Sequence, residues 1–257
     1  MILRVLGSSG AEFPGCNPPG FLIDGTLLLD AGTIGAVLTE EEQWAIRRIF
    51  ITHCHLDHIR GIPFFADNII MKNPQHNVEV VSARDILQTL KSHIMNDLVW
   101  PDFSRIPSVE APVISYRELE SGAQCQVDGY WITACSVTHA VPAQGYIVRK
   151  GGEGGKGLLY TGDTGPTDAI WRQALNLSAM IVEVSFPNEM EQMAILTGHL
   201  TAKLLAKELG KIAVLPPSIL ITHPKPQFYQ TIKDELAALG LPQLELLHDG
   251  ASYEIPD

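Results

Sequence analysis

The feature that most constrains this chain is a dense group of metal-binding side chains placed directly after a short apolar run. Residues Ile49–Thr52 are typical of a buried strand, and the next six residues, His53-Cys-His-Leu-Asp-His58, contain three histidines and one aspartate. Polar side chains are costly to bury unless they are paired or bind a ligand. Imidazole and carboxylate are ligands that zinc, iron and manganese accept. The group therefore predicts a metal site at the end of a buried strand.

The spacing within this group places its side chains around two neighbouring points. Side chains alternate with period two in an extended segment, so His53 and His55 should face one point. Leu56 should return to the core, and Asp57-His58 should begin a helical turn that faces a second point. Gly61-Ile-Pro63 is expected to end or redirect that turn. The arrangement predicts room for two metal ions a short distance apart.

Further candidate ligands stand at the ends of other apolar runs. His139, Asp163 and His223 each close a run that is predicted to be a strand. Side chains at the carboxyl ends of strands often line the pocket of an α/β protein. One histidine at a strand end is usually only a polar terminus, but three such ends together with the group at 53–58 favour a catalytic metal pair. The alternative, a purely structural site, usually has a closed coordination shell and often cysteine ligands.

Length, charge and cysteine content limit the classes of function. With 257 residues, the chain suits one large domain or two small ones, and we predict a single domain over 1–257. The net charge of −11 disfavours extended nucleic acid, although a small anionic substrate can bind where metal ions determine the local field. No signal peptide or membrane-spanning stretch is predicted. The four cysteines lack metal-like spacing, which predicts free thiols in the cytoplasm. A homodimer is left open.

The order of predicted elements indicates the fold class. Strands occur in both halves, one pair turning at Asp24-Gly25, and helices lie between them, which predicts an α/β fold of two mixed sheets with helices outside, a four-layer αββα sandwich. Residues 96–112 contain prolines but no periodicity, so we predict a long loop over the active site. Gly151–Gly157 is predicted to be a flexible hairpin loop. The runs 244–247 and 252–255 are predicted to form a last hairpin around Asp249-Gly250.

The complete ligand pattern resembles that of the metallo-β-lactamase superfamily over nearly the whole chain. The matching residues are His53-Cys-His-Leu-Asp-His58, His139, Asp163 within Thr161-Gly-Asp-Thr-Gly165, and His223. The resemblance implies the αββα fold and two divalent metal ions, with zinc expected and manganese or iron as alternatives. It implies one metal held by His53, His55 and His139, another held by Asp57, His58 and His223, and Asp163 as the bridge.

Two further elements are similar to the phosphodiesterase branch of that superfamily, which includes the tRNA 3′-end endonuclease ribonuclease Z. Glu183-Val-Ser-Phe186 resembles its E-A-T-F element, and Gly198-His-Leu-Thr201 resembles its H-S-T element. The resemblance implies that Glu183 orients His199 and that His199 is the general acid, and we count Asp57 with them as catalytic. The alternative is that His199 caps a helix and Glu183 is structural.

The stretch from His93 to Phe103 is similar to the H-x-F-N-x-x-x-W-P-x-F sequence of class II cyclic-nucleotide phosphodiesterases, with Met95 as a departure. The basic arm typical of ribonuclease Z is missing from the interval 140–162. The resemblance therefore implies that cAMP or cGMP is opened to the 5′-monophosphate, with His93, Asn96 and Trp100 as substrate contacts. Trp100 and Phe103 could stack on a purine or simply pin the loop to the core.

Two other classes of function stay open on the sequence alone. One is a hydrolase of the same fold that acts on another phosphodiester, as ribonuclease Z does, or on a lactone or thioester. The other is a non-catalytic metal-binding sensor. The complete ligand set and the pairing of Glu183 with His199 argue against a sensor, because a sensor does not need a proton donor.

Overall fold

The central strands bury side chains on both faces, and this double burial produces a layered architecture. The computed structural model describes residues 1–152 and 154–257. Its strands, in chain order, are Ile2–Gly7 (β1), Gly20–Ile23 (β2), Leu27–Leu29 (β3), Arg48–Phe50 (β4), Val78–Ser82 (β5), Ile114–Glu118 (β6), Gln124–Val127 (β7), Tyr130–Ser136 (β8), Gln144–Lys150 (β9), Gly157–Tyr160 (β10), Leu177–Glu183 (β11), Ser218–Thr222 (β12), Leu244–Leu246 (β13) and Ser252–Glu254 (β14). Its helices are Glu40–Ala45 (α1), Leu56–Ile59 (α2), Gly61–Lys72 (α3), Arg84–His93 (α4), Ala169–Gln173 (α5), Glu191–Thr197 (α6), Ala202–Leu209 (α7) and Tyr229–Ala237 (α8).

The strands form two seven-stranded sheets that pack face to face. Their strand orders are β14-β1-β2-β3-β4-β5-β6 and β13-β12-β11-β10-β9-β8-β7. In β3, Leu27 and Leu29 belong to the core between the sheets, whereas Leu28 belongs to the core under α3 and α4. In β11, Ile181 faces the opposite sheet and Val182 faces the helices on the other side. The predicted four-layer αββα sandwich is therefore confirmed.

Parallel pairing determines where the polar strand ends meet. β10, β11 and β12 run parallel to one another, so their carboxyl ends lie along one edge of the second sheet. Asp163 follows β10, Glu183 ends β11 and His223 directly follows β12. In the first sheet, β4 also runs parallel to its two neighbours and leads into His53. The topology thus collects side chains from distant parts of the sequence at one rim.

The prediction of a last hairpin was wrong. β13 pairs in parallel with β12, and β14 pairs antiparallel with β1, so the two strands belong to different sheets. The Asp249-Gly250 turn exists, with Gly250 at φ 82°, but it carries the chain from one sheet to the other. Its amide donates to the Val5 carbonyl at 2.8 Å. Each strand adds to the edge of a sheet, where backbone N–H and C=O groups of the neighbouring strand would otherwise be unpaired.

The chain is redirected at Gly61-Ile-Pro63, one of the two predicted outcomes, because α2 ends at Ile59 and a separate helix follows. A twelve-residue helix, α3, begins at Gly61 and buries Ile62, Phe65, Ala66 and Ile69 against the first sheet. Pro63 lies in the first turn of this helix, where a missing backbone N–H breaks no helical hydrogen bond. The proline therefore marks the start of a helix and not its end.

Two other turn sequences correctly predicted antiparallel connections between neighbouring strands. Asp24 and Gly25 have φ of 44° and 73°, as a type I′ hairpin turn requires, and β2 pairs antiparallel with β3 on either side. β9 and β10 also pair antiparallel across the predicted glycine-rich loop, which includes Glu153, a residue outside the described part. Over the described ranges, the helices are too short or too polar for any of them to cross a lipid bilayer.

Candidate metal centre and catalytic site

All seven predicted metal ligands come together in two neighbouring clusters. The first cluster consists of His53, His55, His139 and Asp163, and the second cluster consists of Asp57, His58 and His223. Within each cluster, one ligand atom from each residue lies within 4.8 Å of all the others. Oδ2 of Asp163 lies 3.6 Å from Nε2 of His53 and 3.3 Å from Nε2 of His223, so it reaches both clusters. This placement suits a carboxylate that is shared by two cations.

Hydrogen bonds made by Nδ1 orient four of the histidines in the two clusters. The acceptors of Nδ1 are Thr52 Oγ1 for His53 at 3.0 Å, Asp30 Oδ2 for His58 at 2.7 Å, the Gly198 carbonyl for His139 at 2.8 Å, and Ser185 Oγ for His223 at 2.8 Å. A proton on Nδ1 leaves the lone pair on Nε2, which is the neutral form in which imidazole binds a metal ion. Partners of this kind commonly orient metal-binding histidines.

The residues of the clusters fit a pair of divalent cations. Nε2 of His53 is buried and has no hydrogen-bond partner among the described residues. An unpartnered buried nitrogen costs about 1–3 kcal/mol, and a cation would satisfy its lone pair. Burial lowers the pKa of His53, which keeps the imidazole neutral. Burial opposes ionisation of Asp163, but His223 and His58 outweigh it and hold the pKa of this carboxyl well below its usual range.

Asp30, which was not among the predicted site residues, orients side chains of both clusters through hydrogen bonds. Its buried carboxylate accepts hydrogen bonds from the Thr52 amide at 2.7 Å, the Thr52 hydroxyl at 2.8 Å and the Tyr160 hydroxyl at 2.6 Å, besides that from His58. Because Thr52 donates its hydroxyl proton to Asp30, its oxygen accepts from His53. A signal was present in the sequence: Asp30 closes the apolar run Leu27–Leu29, as the predicted ligands close theirs.

Glu183 and His199 form a buried pair beside the clusters. Oε1 of Glu183 accepts from Nδ1 of His199 at 2.7 Å, and that nitrogen lies 4.0 Å from Oδ2 of Asp163. Burial lowers the pKa of His199, but the Glu183 carboxylate outweighs this effect and raises the pKa to about 8. His199 does not cap α7, because the Thr201 side chain accepts from the Leu204 amide there. With Nδ1 occupied by Glu183, only Nε2 remains to exchange a proton with a bound molecule.

The position of His199 would also allow it to act as a metal ligand. It forms a group with Asp163 and His223 in which one ligand atom from each residue lies within 4.8 Å of the others. A metal at that point would compete with Glu183 if it used Nδ1 of the imidazole. The metal content of a His199 variant distinguishes a ligand from a proton donor.

Leu56 does not return to the core, contrary to the prediction, and its side chain is 63% exposed. His55 is the last extended residue, with φ −66° and ψ 145°, and α2 begins at Leu56. The period-two alternation therefore stops one residue earlier than predicted, and the first helical position faces outward. An apolar side chain is thus placed between two predicted ligands at the rim of the site.

The three predicted substrate contacts lie outside both clusters. His93 is exposed at the end of α4. The Asn96 amide is used within its own turn, where Oδ1 accepts from the Val99 amide at 2.8 Å. The Trp100 ring lies 5.0 Å from that of Phe64. Phe103 is buried, which favours the alternative that it pins the loop to the core.

Cys54 lies between two predicted ligands but is turned away from them. Its Sγ donates to the Ile86 carbonyl of α4 at 3.1 Å, and burial raises the pKa of the thiol to about 12. We expect Cys54→Ala to keep both metal equivalents and most of the activity, because the thiol is hydrogen-bonded to α4 and packs against the core beneath it. Elemental analysis tests this, with His55→Ala as the variant that should lose metal. Loss of a full equivalent from Cys54→Ala would contradict the observed orientation.

The arrangement can be compared with known proteins. A family model described as the beta-lactamase superfamily domain matches residues 28–223, which is more than half of the chain. The chain belongs to the beta-lactamase superfamily. This superfamily member is accordingly a hydrolase of the metallo-β-lactamase fold, a fold that implies divalent metal ions.

Curated relatives of this beta-lactamase superfamily member include two types of phosphodiester hydrolase. A probable 3′,5′-cyclic-nucleotide phosphodiesterase from Yersinia pestis is 28% identical over 72% of this chain, and the match spans 59% of the relative. A ribonuclease Z from Archaeoglobus fulgidus is 25% identical over 68% of this chain and 69% of its own length. A 3′,5′-cyclic-nucleotide phosphodiesterase from Schizosaccharomyces pombe is 26% identical over 82% of this chain and 66% of its own length.

Solved structures confirm the fold of this superfamily member. Unliganded yeast PDE1 matches with a TM-score of 0.79 at 17% identity, covering 98% of each chain. The short form of human tRNase Z matches with a TM-score of 0.71 at 18% identity, covering the whole of each chain. At these identities the likeness concerns the fold.

Proposed function

We propose that this chain is a metal-dependent phosphodiesterase that opens a 3′,5′-cyclic nucleotide, cAMP or cGMP, to the 5′-monophosphate. The observation that carries the proposal is the Glu183–His199 pair, whose Nδ1 lies 4.0 Å from the carboxylate that reaches both clusters. Such a pair places a proton donor next to the site where a phosphoryl group would bind. The relatives named 3′,5′-cyclic-nucleotide phosphodiesterase support the choice of substrate.

The two clusters would hold the metal ions, with zinc the best match to neutral imidazoles and carboxylates. When bound, the cations activate a water and offset the charge that develops on the phosphoryl oxygens. Asp163, held ionised by the surrounding histidines, would keep the two positions at a constant separation. Asp57 would contribute its carboxylate to the second cluster, where it lies 3.3 Å from Nε2 of His223.

His199 would complete the reaction as general acid. Water adds to phosphorus and releases one of its protons to solvent, the bond from phosphorus to the 3′ oxygen breaks, and the leaving oxygen takes the proton from Nε2 of His199. His199 then regains a proton from solvent. The Nδ1–H group of His199 stays hydrogen-bonded to Glu183 throughout the reaction, which keeps the imidazole ring in one orientation. Glu183 itself is held by the Thr164 amide at 3.1 Å and the Ser185 hydroxyl at 2.7 Å, so the carboxylate cannot rotate freely.

We further propose that residues 1–257 act as one hydrolase domain in the cytoplasm, with the 96–112 loop over the active site and a small anionic molecule as substrate. The candidate substrate contacts remain Asn96 and Trp100 on that loop and His93 at the end of α4. A second candidate function, tRNA 3′-end cleavage, is supported by the ribonuclease Z relative. The net charge of −11 argues against it, because an acidic surface repels a phosphate backbone.

A hydrolysis panel on metal-loaded protein tests the proposed function. The substrates are cAMP, cGMP, bis(p-nitrophenyl) phosphate, a lactone and a tRNA precursor, and we expect the highest kcat/KM on a cyclic nucleotide. Asp163→Ala, prepared in the same way, controls for a contaminating phosphodiesterase. Cleavage of only the lactone or only the tRNA precursor would contradict the proposed substrate.

A further inference from the structure

One fully buried hydroxyl, that of Ser185, joins the second cluster to the Glu183–His199 pair. Ser185 Oγ lies 2.7 Å from Oε2 of Glu183, 2.8 Å from Nδ1 of His223 and 3.1 Å from Nδ1 of His199. The residue has no exposed surface. A candidate metal ligand and a candidate proton donor therefore share one hydrogen-bonding partner.

The direction of each hydrogen bond follows from the number of protons available. A serine hydroxyl donates one hydrogen bond and accepts two, and an ionised carboxylate only accepts. Ser185 must therefore donate to Glu183, and its lone pairs accept from Nδ1–H of His223 and, shared with Glu183, from Nδ1–H of His199. Every bond that the hydroxyl can make is used. As a result, Nδ1 of His223 carries a proton, and its Nε2 presents a lone pair to the second cluster.

The backbone of Ser185 ties together the segments that carry these two histidines. Its amide donates to the Leu200 carbonyl at 3.1 Å, one residue after His199. Its carbonyl accepts from the Lys225 amide at 3.2 Å, two residues after His223. Replacing the side chain leaves both backbone bonds in place, so Ser185→Ala removes the hydroxyl alone.

We propose that Ser185 is a positioning residue that holds His223 in its metal-binding tautomer and Glu183 in the orientation that His199 needs. Its role toward His199 rests on the proposed function, whereas its role toward His223 does not. Without the hydroxyl, Nδ1–H of His223 loses its acceptor and the imidazole is no longer restricted to one tautomer. Loss of an orienting partner typically lowers metal affinity by roughly 10–100-fold.

The effect should be confined to one metal equivalent. In the first cluster, the Nδ1 atoms of His53 and His139 are held by Thr52 and Gly198, neither of which is hydrogen-bonded to Ser185 in the described structure. We therefore expect Ser185→Ala to weaken the second equivalent of Zn²⁺ by roughly 10–100-fold and to leave the first unchanged. A general structural defect would weaken both equivalents together.

The experiment is a Zn²⁺ titration against a chromogenic chelator, with Asp57→Ala and His139→Ala as references for loss of the second and first clusters. Ser178→Ala is the matched control, because Ser178 lies on β11, is also buried, and its hydroxyl donates to the Pro256 carbonyl at 2.6 Å. Ser185→Thr, which keeps the hydroxyl, should retain the wild-type ratio of the two affinities. Wild-type binding or equal weakening of both equivalents in Ser185→Ala, or the alanine defect in Ser185→Thr, would overturn the proposal.

Enzyme kinetics on the same variants test the role of Ser185 toward His199. Ser185→Ala should lower kcat more on a phosphodiester with a poor leaving group than on bis(p-nitrophenyl) phosphate, and its effect should not add to that of His199→Ala. The titration uses no substrate, so it tests the role of Ser185 toward the metal even if no cyclic nucleotide is hydrolysed. Unchanged metal binding together with hydrolysis of cyclic nucleotides would contradict the positioning role and leave the proposed function standing.

Discussion

Replacing His199 with alanine is expected to lower kcat on a cyclic nucleotide by roughly 10²–10⁴-fold, the range typical for loss of a general acid. Metal content should not change, because Nδ1 of His199 is bonded to Glu183 at 2.7 Å and is not needed by either cluster. The measurement pairs steady-state kinetics with elemental analysis of the same preparation. His248→Ala, an exposed histidine outside both clusters, is the control.

A comparison of substrates with different leaving groups distinguishes a proton donor from a substrate-binding residue. The defect of His199→Ala should shrink on bis(p-nitrophenyl) phosphate, because p-nitrophenolate leaves without a proton. Glu183→Gln should produce a smaller loss in the same direction, and the double variant should be far from additive, since the two residues act as a unit. Equal losses on both esters, or the disappearance of one metal equivalent, would mean that His199 binds substrate or metal.

Replacing Asp163 with alanine is expected to weaken both metal equivalents together and to abolish most of the activity. The physical reason is that one oxygen, Oδ2, lies 3.4 Å from Nε2 of His58 as well as 3.6 Å from Nε2 of His53, so both clusters lose the same negative charge. Elemental analysis after dialysis should approach two equivalents for the wild-type protein and fall well below that for the variant.

Asp234→Ala, an exposed aspartate of α8, controls for the loss of one negative charge elsewhere on the protein. Tight binding of a single equivalent that is unaffected by Asp163→Ala would refute the shared carboxylate.

The sequence indicated the candidate ligands more directly than the residues that orient them. Each ligand follows an apolar run, and a polar side chain that closes a buried strand is visible in one dimension. Thr52 and Ser185 are equally buried, but small hydroxyl residues are common and reveal nothing until their neighbours are known. Ser185 contacts His223, which is 38 positions away in the chain. Only the packing of β11 beside β12 brings them together.

Errors arose where local signals compete with tertiary pairing. Asp249-Gly250 has the composition of a hairpin turn, yet the flanking strands join different sheets, because the edges at β1 and β12 offer partners that a two-stranded hairpin lacks. Leu56 follows a strand-like alternation in the sequence but occupies the first position of a helix. At Asp249-Gly250 the turn was correctly recognised and a longer-range strand pairing decided the outcome, whereas at Leu56 the helix begins one residue earlier than the alternation predicted.

The sequence by itself determined the ligand chemistry, because residue type and period-two spacing specify which atoms can face a metal, and it determined the αββα class through the order of apolar runs. The tertiary structure alone decided how closely the seven candidate ligands lie, because they come from strand ends far apart in the chain, and it placed one oxygen of Asp163 within reach of both clusters. It also decided which nitrogen of His58, His139 and His223 is free, because that choice depends on an acceptor contributed by another part of the fold. Proton positions are a property of contacts across the fold, and a linear pattern of residues does not contain them.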